Sequence, residues 1–308
     1  MERNVKLIVI AGPTASGKTD IGIELAQALD GEIISVDSMQ IYRWMDIGTA
    51  KPSPDLLSKV PHHLIDILDP DEPYNAGKFC QDADHVISTL SEKQKSIILV
   101  GGTNLYIRAL INGIIPTPEV SSDTKSYVRI LGENEGVETC YERLKEVDPE
   151  SAKVLHPNDI SRISRALEVA LETGESIQKL QSNHRFKDDR YEVRYFYADW
   201  PRDEIYDRIN RRVHIMVEQG LIDETASLMK RGYDDSLPSM NSIGYKQAVS
   251  HLKGDISLDE MIADIQQKSR RYAKKQLTWF RKGYQVHRLD RNSLSERDIE
   301  LAKAFLDQ

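Results

Sequence analysis

Leu7-Ile8-Val9-Ile10-Ala11-Gly12-Pro13-Thr14-Ala15-Ser16-Gly17-Lys18-Thr19 is the stretch on which the fold turns. Its first five residues have the composition of a strand buried on both faces. The next eight complete a G-x-x-x-x-G-K-[ST] phosphate-binding loop. Behind it, Ile21 to Leu29 has helical spacing, with Ile21, Leu25 and Ala28 expected on one face. A strand, a glycine loop and a helix turn backbone N–H groups into one concavity at a helix N-terminus, where the dipole favours anions. Lys18 adds a point charge and Thr19 a hydroxyl suited to magnesium. The pattern implies a polyphosphate ligand.

Apolar runs at 5–11, 32–36, 62–68, 96–100 and 192–198 read as strands, mostly separated by helical segments. That alternation predicts an α/β fold with a largely parallel sheet flanked by helices. Asn75 to Gln94 reads as a helix burying Phe79, Ala83, Val86 and Leu90, and Thr103 to Ile111 as another. After 1–118 the composition shifts at Ile115-Pro116-Thr117-Pro118. Residues 119–190 then read as a helical insertion, with helices at 127–132, 136–147 and 159–172. The α/β part resumes over 191–308, with helices at 202–218, 221–231 and 257–282, a strand near 285–289 and a last helix.

Bulk composition excludes several classes. Of the 308 residues, 40% are hydrophobic and 29% charged, as in an ordinary globule. No apolar run approaches the ~20 residues of a membrane span, and no secretory segment follows Met1. Cys80 and Cys140 form no metal or disulfide pattern and point to a reducing, cytoplasmic setting; the histidines show no ligand spacing. The net charge of −8 argues against a nucleic-acid partner until its distribution is considered. From Ile265 to Leu289 there is no acidic residue, while Lys268, Arg270, Arg271, Lys274, Lys275, Arg281, Lys282 and Arg288 are interleaved with Tyr272, Trp279, Phe280 and Tyr284. So many like charges on one helix fit an external polyanion or a solvated face over buried aromatics.

Two strand ends carry further chemistry. The second strand runs into Asp37, whose carboxylate suits a general base, a magnesium ligand through water, or a loop cap. The strand at 96–100 ends in Gly101-Gly102-Thr103, where an ordinary NTPase would place a magnesium-binding carboxylate. Arg208, Arg211 and Arg212 crowd one helix whose apolar face is Ile205, Ile209, Val213 and Met216.

Taken in order, Gly12–Thr19, Asp37–Tyr42, Met45–Pro52, His62–Asp66, Gly101–Thr103, His156–Asp159, Arg162–Glu168, Ile243–Lys246 and Ala273–Arg281 resemble the bacterial tRNA dimethylallyltransferases of the IPP transferase family. The resemblance implies a P-loop NTPase-like core that moves a dimethylallyl group from its diphosphate to N6 of the adenosine 3′ to the anticodon. It implies that Gly12, Pro13, Thr14, Ala15, Ser16, Gly17, Lys18 and Thr19 hold the diphosphate, with magnesium as cofactor at Thr19. Asp37 is then the general base, Thr103 positions the amine, and Arg212 reaches the leaving pyrophosphate. Contacts to tRNA are expected from Asp37, Ser38, Met39, Gln40 and Thr103, from Lys125, from Ser161, Arg162, Ile163, Ser164 and Arg165, and from Asn241, Ser242, Ile243, Gly244, Tyr245 and Lys246. Gln40 is expected to read a base edge. The partners implied are the tRNA anticodon stem-loop and dimethylallyl diphosphate, with no membrane and no obligate protein partner, the chain acting as a monomer. The phosphate loop alone equally suits a small-molecule kinase, against which Gly101-Gly102-Thr103 argues; a non-catalytic RNA binder would not need Asp37.

Overall fold

The computed structural model describes residues 5–114, 118–184, 190–280, 285–291 and 293–308. Six strands, β1 (Lys6–Ala11), β2 (Gly31–Val36), β3 (His62–His63), β4 (Ser96–Gly101), β5 (Glu192–Asp199) and β6 (Val286–Asp290), form one sheet in the order β3-β2-β4-β1-β5-β6. Every pairing is parallel. The central strands are buried throughout their middles, from Leu7 to Ala11 and from Ile97 to Val100, as strands covered on both faces must be.

The run at 62–68 pairs over only two residues. Leu64 (φ 60°) and Asp66 (φ 55°) adopt left-handed backbone, which ends the pleat before Leu68 returns to bridge Tyr42. Helix α1 (Lys18–Ala28) packs hard against the sheet: a Cβ on Gly22 would lie 2.5 Å from Val100. It buries Ile21, Gly22, Ile23, Leu25 and Ala26, leaving Ala28 half-buried. A short α2 (Pro54–Leu57) precedes β3, and α3 (Ala76–Glu92) follows it, capped by Asn75, whose Oδ1 accepts from Lys78 N at 3.0 Å. Its core side is Phe79, Ala83, Ile87 and Leu90; Val86 is half-buried, because the helix turns Ile87 inward instead.

Helix α4 (Asn104–Asn112) leads to a second compact unit, Asn112–Asp188, set between two stretches of the first, Met1–Ile111 and Asp189–Gln308. This boundary precedes the proline-rich stretch, of which 115–117 lie outside the described residues. At the re-entry point, Arg190 N donates to Ile111 O at 3.1 Å and its Nη1 to Leu110 O at 3.1 Å. Asp84 anchors the same arginine at 2.6 Å.

The second unit contains α5 (Ser122–Val147), α6 (Pro149–Val154), α7 (Ile160–Thr173) and α8 (Ile177–His184). The two helices expected at 127–132 and 136–147 are one element broken at Gly136, where φ is 85°. Val128, Cys140, Leu144, Ile163, Ala166 and Leu167 give this unit its own core. In the first unit, α9 (Arg202–Glu218), α10 (Leu221–Lys230), α11 (Tyr245–Leu252) and α12 (Leu258–Phe280) follow β5, and α13 (Glu296–Asp307) follows β6. The basic segment is helical to Phe280; Arg281, Lys282 and Tyr284 lie outside the described residues. Among the described residues no helix is long and apolar enough to cross a membrane.

At Gly101 a Cβ would fall 2.1 Å from the Val36 carbonyl oxygen, an overlap with backbone that no rotamer change relieves. Gly101→Ala should therefore lower the unfolding free energy by about 1–3 kcal/mol, read as a lower urea midpoint. An unchanged midpoint would show that β2 and β4 part at their ends without cost.

Candidate active site

The register sets Ala11, Gly101 and Val36 level across β1, β4 and β2. From β1 the chain crosses first to one side of the sheet and later to the other, so the crevice beyond these ends is the topological switch point. Three loops meet there: the phosphate loop, the turn at Asp37, and Gly102-Thr103. Thr103 ties two of them together. Its N donates to Val36 O at 3.2 Å and its Oγ1 accepts from Ser38 N at 3.1 Å. Asp37 Oδ1 accepts from Met39 N at 2.9 Å and Gln40 N at 3.3 Å, holding its own turn. Its Oδ2 takes no hydrogen bond among the described residues.

The phosphate loop closes with Ser16 N on Pro13 O at 3.3 Å, and Ala15 (φ 63°) and Gly17 (φ 82°) are left-handed. Its carbonyls are taken by side chains. Lys18 Nζ donates to Pro13 O at 3.1 Å, Arg208 Nε to Ala15 O at 2.7 Å, and Trp200 Nε1 to Ser16 O at 2.9 Å. Arg208 also stacks 4.4 Å from the Trp200 ring. Among the described residues, the N–H groups of Ala15, Gly17, Lys18 and Thr19 meet no protein acceptor, which leaves them for an anion.

Arg212, projecting from α9, reaches the same loop, its Nη1 donating to Thr14 Oγ1 at 3.3 Å. Burial and then the neighbouring Arg212 charge bring the Lys18 ammonium down to about 8, with Asp37 opposing them. Burial likewise pulls Arg212 below the usual guanidinium range, again opposed by Asp37. Both cations stand where an anion would relieve them.

Among the described residues, Arg212 lies on the walls of three cavities. One of about 300 Å³ sets Thr14, Asp37, Arg212 and Tyr272 beside an apolar wall that includes Met39, Ile209, Val213, Met216, Ile243 and Ile265. A narrower one, about 80 Å³, brings Lys18 and Thr19 against Asp37. The third, about 460 Å³, is the cationic side of the loop, with Lys18, Thr19, Arg208, Arg211 and Arg212 on its wall. An anion site, a carboxylate and an apolar chamber thus adjoin. Such a site can hold a diphosphate ester by its head, shelter its hydrocarbon, and accept a proton beside it.

Several expected RNA-facing residues are engaged within the protein. Gln40 spends both ends of its amide: Oε1 accepts from Ser35 Oγ at 3.3 Å, and Nε2 donates to Thr49 O and Ala50 O at 3.4 and 3.3 Å. It braces the loop that follows Asp37. Tyr245 and Ile163 are both fully buried on the core sides of their helices and present no side chain to RNA. The Tyr245 hydroxyl donates to Glu224 at 2.6 Å, and Glu224 also accepts from the N–H groups of Asp46, Ile47 and Gly48.

Asn241 Nδ2 and Ser242 Oγ bind nearby carbonyls, while Ser242, Ile243 and Gly244 line the apolar-walled cavity and Lys246 is exposed. Ser38 and Met39 line that cavity too. In the second unit Lys125, Ser161 and Arg162 are exposed. Ser164 and Arg165 there are half-buried, and Arg165 pairs with Glu168 at 3.1 Å.

Sequence reasoning passed over Gln276, Trp200 and Glu224. Gln276 left one signal, a polar side chain on the helix side that buries Ala273 and Leu277. Trp200 and Glu224 left none, since their partners are distant in sequence.

Comparison with known proteins agrees with this geometry. Residues 40–283 match a family described as IPP transferase. The chain is 46% identical over 286 residues to a protein named tRNA dimethylallyltransferase 2 of Geotalea uraniireducens, covering 93% of this chain and 92% of the relative. It is 46% identical over 277 residues to the tRNA dimethylallyltransferase of Geobacter sulfurreducens, covering 90% and 89%. Among solved structures, the tRNA isopentenylpyrophosphate transferase of Bacillus halodurans aligns with a TM-score of 0.71 at 39% identity, over 98% of this chain and 97% of that one. A eukaryotic dimethylallyltransferase acting on tRNA aligns with a TM-score of 0.79 at 27% identity, over 97% and 77%. The chain belongs to the IPP transferase family.

Proposed function

We propose that this chain transfers a dimethylallyl group from dimethylallyl diphosphate to N6 of the adenosine 3′ to the anticodon of tRNA, releasing pyrophosphate. The observation that carries the reading is the apolar-walled cavity of about 300 Å³, where Arg212 and Thr14 of the phosphate loop meet Asp37. A kinase would have a carboxylate for magnesium at the end of β4, where this chain has Gly101-Gly102-Thr103.

In the reaction the bond between the allylic carbon and its phosphate oxygen breaks, and a bond to N6 forms. Negative charge grows on the leaving oxygens, where the loop N–H groups, Lys18 and Arg212 stabilise it without rearranging. The exocyclic amine must lose a proton as it attacks, and Asp37 Oδ2, which takes no hydrogen bond among the described residues, is the acceptor for it. Thr103 positions the amine. The adenine has to leave its stack to enter the cavity, so the substrate is single-stranded loop RNA.

The residues present fit magnesium brought in with the diphosphate: Thr19 would hold it by its hydroxyl, with Asp37 on the same cavity wall, and the ion would supply charge neutralisation at the leaving group. On α12, Arg271, Lys274 and Lys275 are exposed near Tyr272, which lines the cavity. We assign RNA phosphate contacts to this basic face and to Lys246, in a reaction taking place in the cytoplasm by a monomer.

The direct test is transfer of labelled dimethylallyl from its diphosphate to an anticodon stem-loop bearing adenosine, and not to one bearing guanosine at that position. Transfer to neither, with phosphoryl transfer from ATP to a small molecule, would return the loop to the kinases. Asp37→Ala should lower kcat about 10²–10⁴-fold; near-normal turnover removes Asp37 from the chemistry.

Because the folded ammonium titrates near 8, Lys18 is charged below that pH and loses its charge above it. Affinity for inorganic pyrophosphate should therefore weaken as pH rises through 8, more steeply in the native protein than in Lys18→Arg, whose charge persists. Equal slopes in calorimetric titrations would contradict this. The Lys274→Ala, Lys275→Ala double variant should reduce the salt dependence of stem-loop binding by about 1.4 in log–log slope, and an unchanged slope would reject phosphate contact there.

A further inference from the structure

Gln276 joins two loops that the reaction must hold in register. It lies on α12, 3% exposed, between the buried Ala273 and Leu277. Its Oε1 accepts from Thr14 N, in the phosphate loop, at 2.8 Å. Its Nε2 donates to Gly102 O, beside Thr103, at 2.9 Å. The fit is tight on the far side: a Cβ on Gly102 would fall 2.4 Å from that nitrogen. One planar amide thus spans the diphosphate-holding loop and the turn that carries the amine-positioning threonine, from a helix whose other face is basic and exposed.

Resting on the function proposed above, we propose that Gln276 is a positioning residue that fixes the distance between the two reacting partners. It touches neither partner. The N–H groups of Ala15, Gly17, Lys18 and Thr19, and the Lys18 ammonium, grip the diphosphate without it. Thr14 and Gly102 mark the seam between donor and acceptor. Gln276 therefore acts on the alignment of the allylic carbon with the amine more than on donor affinity. Loss of alignment shows in kcat, because a displacement of about 1 Å can cost about 10²-fold.

The amide also cannot be removed neutrally. Its loss strands the half-buried Thr14 N–H and the buried Gly102 carbonyl, and each then seeks a new partner by moving its loop. The pairing of Gln276 with Gly102 accounts for a second glycine after Gly101, which the β2 contact alone does not require.

The test compares Gln276→Met, which keeps length and removes both hydrogen bonds, with Gln276→Glu, which keeps an acceptor for Thr14 N–H and loses the donor to Gly102 O. Transfer to the adenosine stem-loop gives kcat and KM, calorimetry with inorganic pyrophosphate and magnesium gives Kd, and thermal melting reports folding. Gln276→Met should lower kcat about 10- to 100-fold while KM for the diphosphate and Kd for pyrophosphate stay within about threefold of the native values. Gln276→Glu should fall between, and it carries the test if Gln276→Met does not fold. Native kcat in both variants overturns the proposal. So does a joint worsening of kcat, Kd and melting temperature, which marks a loop-folding pin without a positioning role. Absence of transfer by the native protein itself would instead overturn the proposed function.

Discussion

A loop that offers its N–H groups to an anion must find other partners for its carbonyls, and the core of this protein is arranged around that requirement. The carbonyls of Pro13, Ala15 and Ser16 are met by Lys18, Arg208 and Trp200, which come from the loop itself, from α9, and from the residue after β5. The fold's later elements thus complete a site that its first strand begins. Arg208 serves twice, bonding the loop and stacking on Trp200, so one cation fixes both a carbonyl and the ring that fixes the next. An arginine can do this because its planar fork both donates and stacks.

The same arrangement crowds positive charge with little acid to balance it. Lys18 and Arg212 are both pulled down by burial, Lys18 further by its neighbour, while Asp37 opposes the shift in each case. Two buried cations with one carboxylate beside them favour a dianion over a neutral ligand at this place. Asp37 lines the cavities with one oxygen holding the turn from Met39 to Gln40, while the other takes no hydrogen bond among the described residues. A carboxylate with one oxygen committed is held in a fixed direction.

Much of this was legible in the sequence because the signals were local. The phosphate loop, the parallel strands and the apolar side of α9 each depend on residues a few positions apart, and Ile205, Ile209, Val213 and Met216 are all buried as their spacing indicates. What was not legible depends on partners chosen in three dimensions. Nothing local announces that Gln40 donates to the carbonyls of Thr49 and Ala50. Nor does the sequence around Tyr245 announce that Glu224, which gathers the N–H groups of Asp46, Ile47 and Gly48, accepts its hydroxyl. Val86 and Ile87 are adjacent and similarly apolar, so no periodicity decides which one faces the core. The strand at 62–68 shortens because Leu64 and Asp66 take a backbone conformation that their side chains do not advertise.

The hydrogen bond from Arg190 N to Ile111 O, reinforced by the bond to Leu110 O, has a consequence for how this architecture can be altered. The core chain leaves and returns at one point, so the segment between is attached as a closed excursion and its length contributes only weakly to the entropy of closing the core. Such an attachment is modular. A short turn could replace the excursion while the sheet keeps its register, and excursions of other sizes could be grafted at the same junction, letting the core and its appendage diversify independently.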